Sequence, residues 1–255
     1  MNKKYIYGTE EIMDAIIYKS GAGKIEEALQ LAREHNYTDI EAALEKSIEH
    51  TKNIDLYRSY YESEHRSLGE PQILGKGCPD RRQQAALSLL SGGNLLDIGC
   101  ADGSFCFFAL ERDLVNNVTG VDPRKNGIKW AQQYGDEHYK GRTTFIQGLF
   151  EDIALEEKYD IVHMGEILEH VLEPIEVVKK ALQTVTENFQ GIIITVPFIS
   201  PYPKKNEEKI LGLPLEHLRC FNIEMVSDLA KQSNLKIVSQ QIIETEWVNL
   251  VALLK

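Results

Sequence analysis

Four cysteines in 255 residues, Cys78, Cys100, Cys106 and Cys220, are too few and too scattered for a disulfide framework, and none falls in the CxxC spacing of a zinc ribbon. They read as reduced thiols. Long apolar runs are missing too, since no stretch approaches the roughly 20 residues needed to cross a bilayer. Met1-Asn2-Lys3-Lys4 leads into polar residues instead of the apolar core of a leader. The expectation is a soluble, cytoplasmic protein with no membrane partner. Basic charge is also short: 28 Lys and Arg against 39 Asp and Glu leave a formal charge of −11. Binding to a nucleic-acid backbone depends on clustered Lys and Arg that displace counterions, so no nucleic-acid partner is expected. The run Pro203-Lys204-Lys205-Asn206-Glu207-Glu208-Lys209 mixes both signs and reads as solvated loop. What remains is an ordinary globular composition, 43% apolar and 26% charged, enough for one large α/β domain with a smaller appendage.

The first 65 residues carry helical periodicity in three stretches, 10–18, 24–35 and 39–50, with Ile25, Ala28, Leu29 and Ala32 on one face of the second. Thr38 and Glu41 have capping-box spacing for the third. Glycine and proline then concentrate between Leu68 and Pro79, which marks a boundary between a helical region, 1–79, and the rest, 80–255. Beyond it short apolar runs alternate with helical ones. Strands are expected at 94–98, 118–121, 143–147, 159–164 and 191–196, with helices at 80–90, 104–113, 125–134 and 174–185. Such alternation implies a parallel sheet. Two further strands, 235–243 and 247–254, lie too close for a crossover helix and must pair antiparallel.

The segment Asp97-Ile98-Gly99-Cys100-Ala101-Asp102-Gly103-Ser104 falls where a strand ends and a helix begins, at the sheet edge where α/β folds take ligands. Asp122, 25 residues beyond Asp97, ends the next strand ahead of Pro123. An acid there can accept hydrogen bonds from both hydroxyls of a ribose; its bland role is to cap the following helix. Together these segments resemble the first two motifs of class I S-adenosylmethionine-dependent methyltransferases, and the likeness runs over residues 80–255. It implies a Rossmann-like, mostly parallel seven-stranded sheet with an antiparallel C-terminal hairpin, plus the N-terminal helical extension. It also implies a cofactor site drawn from Asp97, Gly99, Cys100, Ala101, Gly103, Asp122 and Pro123, with Phe150 and Glu151 near adenine and Met164 and Gly165 at the end of the fourth strand. Ala101 stands where the family has its middle glycine. A dinucleotide site fits less well, because Gly99-x-Ala101-x-Gly103 is not GxGxxG and the acid at Asp97 would repel a pyrophosphate.

After the fourth strand, Glu166-Ile167-Leu168-Glu169-His170-Val171 resembles the Glu-x-Leu-Glu-His-Val signature of ubiquinone-biosynthesis O-methyltransferases and related small-molecule and sugar methyltransferases. On a helix Glu166, Glu169 and His170 would share one face. Two functional readings stand beside each other: a divalent metal such as magnesium held by Glu166, Glu169 and His170, or His170 and Glu166 as acid–base groups without metal. A third is a helix start with local packing. The segment Leu215-Glu216-His217-Leu218-Arg219-Cys220-Phe221 resembles a Glu-His-x-Arg-x-Phe segment near the acceptor in the same subgroup, which makes His217 a second acid–base candidate or a loop anchor. Arg81 and Arg82 are candidates for the cofactor's carboxylate. Tyr57, Tyr60 and Tyr61 mark the N-terminal region as a lid, a substrate element or a homodimer contact. The expectation is methyl transfer from S-adenosylmethionine to a small-molecule or sugar acceptor, on oxygen rather than nitrogen. The alternatives are a non-catalytic, regulatory cofactor-binding module and a nucleotide-dependent oxidoreductase.

Overall fold

The computed structural model describes residues 12, 15, 16, 19, 25–52, 78–198, 221–244 and 248–255. Among the described residues, two helices precede the sheet region in full, α1 (Ile25–Glu34) and α2 (Thr38–Lys52). Ala28, Leu29 and Ala32 of α1 and Ile40 and Leu44 of α2 close on one another and on Ile16 as a small core of their own. That burial follows the 3.6-residue spacing of the apolar positions. Glu41, in the first turn of α2, accepts from Arg33 Nε of α1 at 2.8 Å.

The remaining elements are α3 (Arg81–Leu87), β1 (Asn94–Ile98), α4 (Ser104–Glu111), β2 (Asn117–Asp122), α5 (Lys125–His138), β3 (Thr143–Gln147), β4 (Ile161–Gly165), α6 (Pro174–Leu182), β5 (Gly191–Pro197), α7 (Ile223–Gln232), β6 (Ile237–Glu244) and β7 (Val248–Leu254). A single-turn 3-10 helix, Phe150–Asp152, follows β3. The strands form one seven-stranded sheet in the order β3-β2-β1-β4-β5-β7-β6. The first five run parallel. β7 slots antiparallel between β5 and β6, so the short C-terminal connection does produce a hairpin.

Alternation along the strands divides the core in two. Leu96, Ile98, Val162, Met164, Ile192, Ile194 and Val196 face α6 and α7. Leu95, Ile161, Ile193 and Val251 face α3, α4 and α5. Both faces of the central strands are therefore covered, which is why β1, β4 and β5 are mostly apolar, with Asp97 and His163 as the buried charged or polar exceptions in β1 and β4. α4 is apolar all round, with every residue from Phe105 to Leu110 buried, as a helix pressed between sheet and neighbours must be. α3 starts on a capping box in which Asp80 accepts from Gln83 N at 2.7 Å and Gln83 Oε1 accepts from Asp80 N at 3.0 Å. Among the described residues no helix is long and apolar enough to cross a membrane.

Candidate active site at the carboxyl edge of the sheet

β1 and β2 end side by side, with Ile98 paired to Val121. The chain then turns through three left-handed residues at alternate positions, Gly99 (φ 78°), Ala101 (φ 55°) and Gly103 (φ 78°). The glycines take this conformation without a Cβ penalty; Ala101 pays it. A Cβ at Gly99 would also sit 3.1 Å from the Ile167 side chain, so the loop after β4 closes directly on the turn after β1. Gly99 N–H and Cys100 N–H both donate to Val121 O, at 2.8 and 3.1 Å. Asp102 caps α4 by accepting from Ser104 N (3.0 Å) and Ser104 Oγ (2.6 Å).

Asp122 locks this turn to β2. Its Oδ2 accepts from Ala101 N at 2.9 Å, and its Oδ1 accepts from Arg124 N at 2.9 Å; Arg124 precedes α5 and no side chain caps that helix, so the bond turns the chain toward α5 without the capping role the sequence left open. Arg124 completes the carboxylate's surroundings through Nε (2.9 Å) and Nη2 (3.0 Å). Burial is the largest single influence and disfavours the Arg124 charge, but the Asp122 hydrogen bonds and the neighbouring negative charges together raise the guanidinium's pKa above its ordinary value. Pro123 is half-buried and its carbonyl faces Gln147 Nε2 at 3.5 Å.

Asp97 does not reach into the turn. Its carboxylate is 1% exposed and lies 2.7 Å from His163 Nδ1 and 3.3 Å from Cys106 Sγ. His163 is its register partner on β4 and stacks on Phe105 with centroids 3.7 Å apart. A Cβ at Gly165 would strike that imidazole at 2.5 Å, so the glycine two residues on makes room for the ring. Cys100 and Cys106 are free thiols turned into the core. Burial, reinforced by the nearby acids, pushes both well above the ordinary thiol range, so neither is a nucleophile at neutral pH. Met164 is wholly buried. Phe150 sinks into the core at 3% exposure beneath the Lys180 ammonium, 5.2 Å away. The sequence reading placed Phe150 and Glu151 near adenine; Glu151 is exposed, and its carbonyl accepts from Lys180 Nζ at 2.7 Å.

The helix expected through Glu166, Glu169 and His170 does not form. Glu166 is left-handed (φ 53°), which no right-handed helix accommodates, and residues 168–170 make a turn in which His170 N donates to Ile167 O at 2.8 Å. α6 starts only at Pro174, whose ring favours the first helical position while keeping Glu173 out of the helical region. The shared face is lost with the helix. Glu166 instead accepts from Thr195 Oγ1 of β5 (3.1 Å) and Asn249 Nδ2 of β7 (3.0 Å), and pairs with Arg82 Nη1 (3.1 Å). Burial raises its pKa even though Arg82 and Thr195 pull the other way. Arg82 is thereby committed to Glu166 rather than to a cofactor carboxylate. Glu169 is fully buried, and its Oε1 lies 3.8 Å from His170 Nε2.

These residues do not fit a divalent cation. A guanidinium sits against one proposed ligand, and among the described residues no three His, Cys, Asp or Glu side chains come together as a metal set. His217, Tyr57, Tyr60, Tyr61 and the 203–209 run lie outside the described residues.

Sequence reading passed over Gly127, in the first turn of α5. A Cβ there would lie 2.6 Å from Ala101 O, so only glycine lets the helix start meet the turn. Turn, acid and helix start thus form one unit at the edge of β1 and β2. The model of the methyltransferase-domain family matches residues 72–240, the span that holds this unit. The chain belongs to that family.

Among its relatives, the mitochondrial ubiquinone biosynthesis O-methyltransferase of Schizosaccharomyces pombe is 32% identical over 108 residues, 42% of this chain and 39% of the relative. The ubiquinone biosynthesis O-methyltransferase of Vibrio vulnificus is 35% identical over 92 residues, 35% of this chain and 38% of the relative. The matched region thus spans about two fifths of these curated relatives. Among solved structures, the magnesium protoporphyrin IX methyltransferase of Synechocystis PCC 6803 with bound S-adenosylhomocysteine superposes with a TM-score of 0.56 at 19% identity, over 79% of this chain and 99% of that one. The fold is that of the class I methyltransferases.

Proposed function

We propose that the protein binds S-adenosylmethionine at the edge of β1 and β2 and transfers its methyl group to a hydroxyl of a small-molecule or carbohydrate acceptor. The observation that carries the reading is the Asp122 carboxylate, held at the end of β2 and bonded to Ala101 N–H in the turn after β1. That geometry presents a ribose-accepting acid and a tight, small-residue turn as one rigid piece. The residues fit such a cofactor: the turn after β1 carries only small side chains at Gly99, Ala101 and Gly103, beside the Asp122 carboxylate.

When bound, S-adenosylmethionine supplies an electrophilic methyl on a sulfonium. The chain then has two tasks. It holds an acceptor oxygen in line with the methyl–sulfur bond, a positioning effect that by itself accounts for much of the rate. It also takes up the hydroxyl proton as the new carbon–oxygen bond forms and the carbon–sulfur bond breaks to leave a neutral thioether. His170, whose side chain is 14% exposed and whose Nε2 lies 3.8 Å from Glu169 Oε1, is the group we assign to that proton, since an imidazole can act as a general base. Glu166 serves the site by tying β4, β5, β7 and α3 together. The O-methyltransferase relatives support oxygen as the acceptor atom.

The test is calorimetric titration with S-adenosylhomocysteine for wild type and Asp122→Asn, followed by a radiolabelled methyl-transfer screen over phenols, catechols and sugars. Asp122→Asn keeps one oxygen for Ala101 N–H and removes the anion. Binding that weakens by about tenfold, the scale of one charge-assisted hydrogen bond, and transfer to a hydroxyl are expected. Folded wild type that takes no S-adenosylhomocysteine rejects the reading.

A further inference from the structure

An ionised carboxylate offers about four lone-pair positions, and the chain fills all four at Asp122. Oδ1 accepts from Arg124 N and Arg124 Nε, both at 2.9 Å; Oδ2 accepts from Ala101 N at 2.9 Å and Arg124 Nη2 at 3.0 Å. The acid itself is 2% exposed, so no other side of it faces water. A ribose that offers two hydroxyls to this acid must therefore displace two donors. The four are not equivalent. Two are backbone amides set by the left-handed turn at Ala101 and by the approach to α5, and removing them means unfolding both. The other two belong to one guanidinium whose side chain is 21% exposed and can rotate out as a unit.

The guanidinium also has the right shape for the exchange. Its Nε–H and Nη2–H are parallel donors to the two oxygens of one carboxylate, and the two hydroxyls of a vicinal diol form a comparable pair. We propose that Arg124 sets the affinity for the cofactor by occupying the diol positions on Asp122, and that ribose binding exchanges the guanidinium for the two hydroxyls. This rests on the reading of Asp122 as the ribose acid. Part of the diol's binding free energy is spent on releasing Arg124, so removing the side chain tightens binding. An arginine that merely held Asp122 in place would have the opposite effect, because its loss would slacken the acid. The sign of the change separates the two roles.

The experiment is calorimetry of full-length wild type, Arg124→Ala and Arg124→Lys with S-adenosylhomocysteine, with thermal melts of each and nitrogen-15 NMR of the Arg124 Nε–H. Arg124→Ala is expected to bind about fivefold tighter, which is about 1 kcal/mol. Arg124→Lys, which keeps charge but loses the fork, falls between. The Nε–H resonance is slowly exchanging in the free protein and becomes rapidly exchanging at saturation with S-adenosylhomocysteine. Weaker binding by a variant that melts like wild type, or an Nε–H that stays protected at saturation, overturns the exchange while leaving Asp122 as the ribose acid. Failure of both wild type and Arg124→Ala to bind overturns both.

Discussion

Gly127→Ala measures how far the cofactor turn depends on the helix beside it. In an open helix this change stabilises, since alanine is favoured over glycine by about 1 kcal/mol. Here the new methyl would lie 2.6 Å from Ala101 O, 3.0 Å from Ala101 C and 3.5 Å from Asp102 N. All three are backbone atoms, and that backbone is pinned by the Asp122 hydrogen bond and by the amides that bond Val121 O. Either α5 lifts or the turn moves. Overpacking of this kind costs about 1–3 kcal/mol, so after the intrinsic gain a net loss of about 1 kcal/mol is expected, a fall of roughly 3 °C in Tm for a domain of this size. The larger effect is on binding. A turn pushed off its position loses the Ala101–Asp122 bond, and affinity for S-adenosylhomocysteine should drop about tenfold, by the same one-bond scale. Gly135→Ala in the same helix is the control: its methyl would meet Thr143 Oγ1 at 2.4 Å, the end of a side chain that can rotate. That variant should alter stability and leave Kd unchanged. A Gly127→Ala protein that melts higher than wild type with unchanged Kd would refute the reasoning.

Three further outcomes follow from the same geometry. Ala101→Gly, which removes a left-handed non-glycine residue at φ 55°, should raise stability by a few tenths of a kcal/mol to about 1 kcal/mol in urea melts, the strain relief exceeding the unfolded-state entropy cost. His163→Leu should destabilise by about 3 kcal/mol by stranding the buried Asp97 carboxylate, and combining it with Asp97→Asn should recover part of the loss; strict additivity in the double-mutant cycle would show the two are uncoupled. Glu166 has a folded pKa raised by burial, so the folded state binds its proton more tightly than the unfolded chain and stability must fall as pH rises through that window. Wild type should accordingly gain stability relative to Glu166→Gln as pH drops from neutral toward the ordinary carboxylate range, a trend that urea melts at stepped pH will show or contradict.

The sheet was legible because its signals are period and length. Leu95, Leu96 and Ile98 form a short, wholly apolar run that only a strand covered on both faces requires, and the gap between Glu244 and Val248 leaves no room for a crossover. The turn after β1 was legible for a different reason, since Gly99 and Gly103 are the residue type that takes positive φ freely, although Ala101 between them does so too. Spacing misleads where the backbone turns without a glycine. Glu166, Glu169 and His170 have the intervals of a helical face, yet Glu166 is left-handed and Pro174 sets the true helix start. Intervals record which residues could share a face and say nothing about whether the chain between them is helical.

The pairings that organise the site cross between elements, and single-segment reading does not see them. Arg82 meets Glu166 across 84 positions of sequence, and Thr195 and Asn249 reach the same carboxylate from two other strands. One such contact did leave a trace. Asp97 stands two residues before Gly99 and His163 two before Gly165; aligning β1 and β4 on those terminal glycines places the acid beside the histidine, as the observed register does. The same alignment explains why both side chains are tolerated inside apolar strands. Each satisfies the other's buried polar atom, so neither leaves an unpaired group in the core. Asp97 consequently spends its carboxylate on the interior, whereas Asp122 spends its own on holding the turn after β1 to the end of β2, with four donors around it.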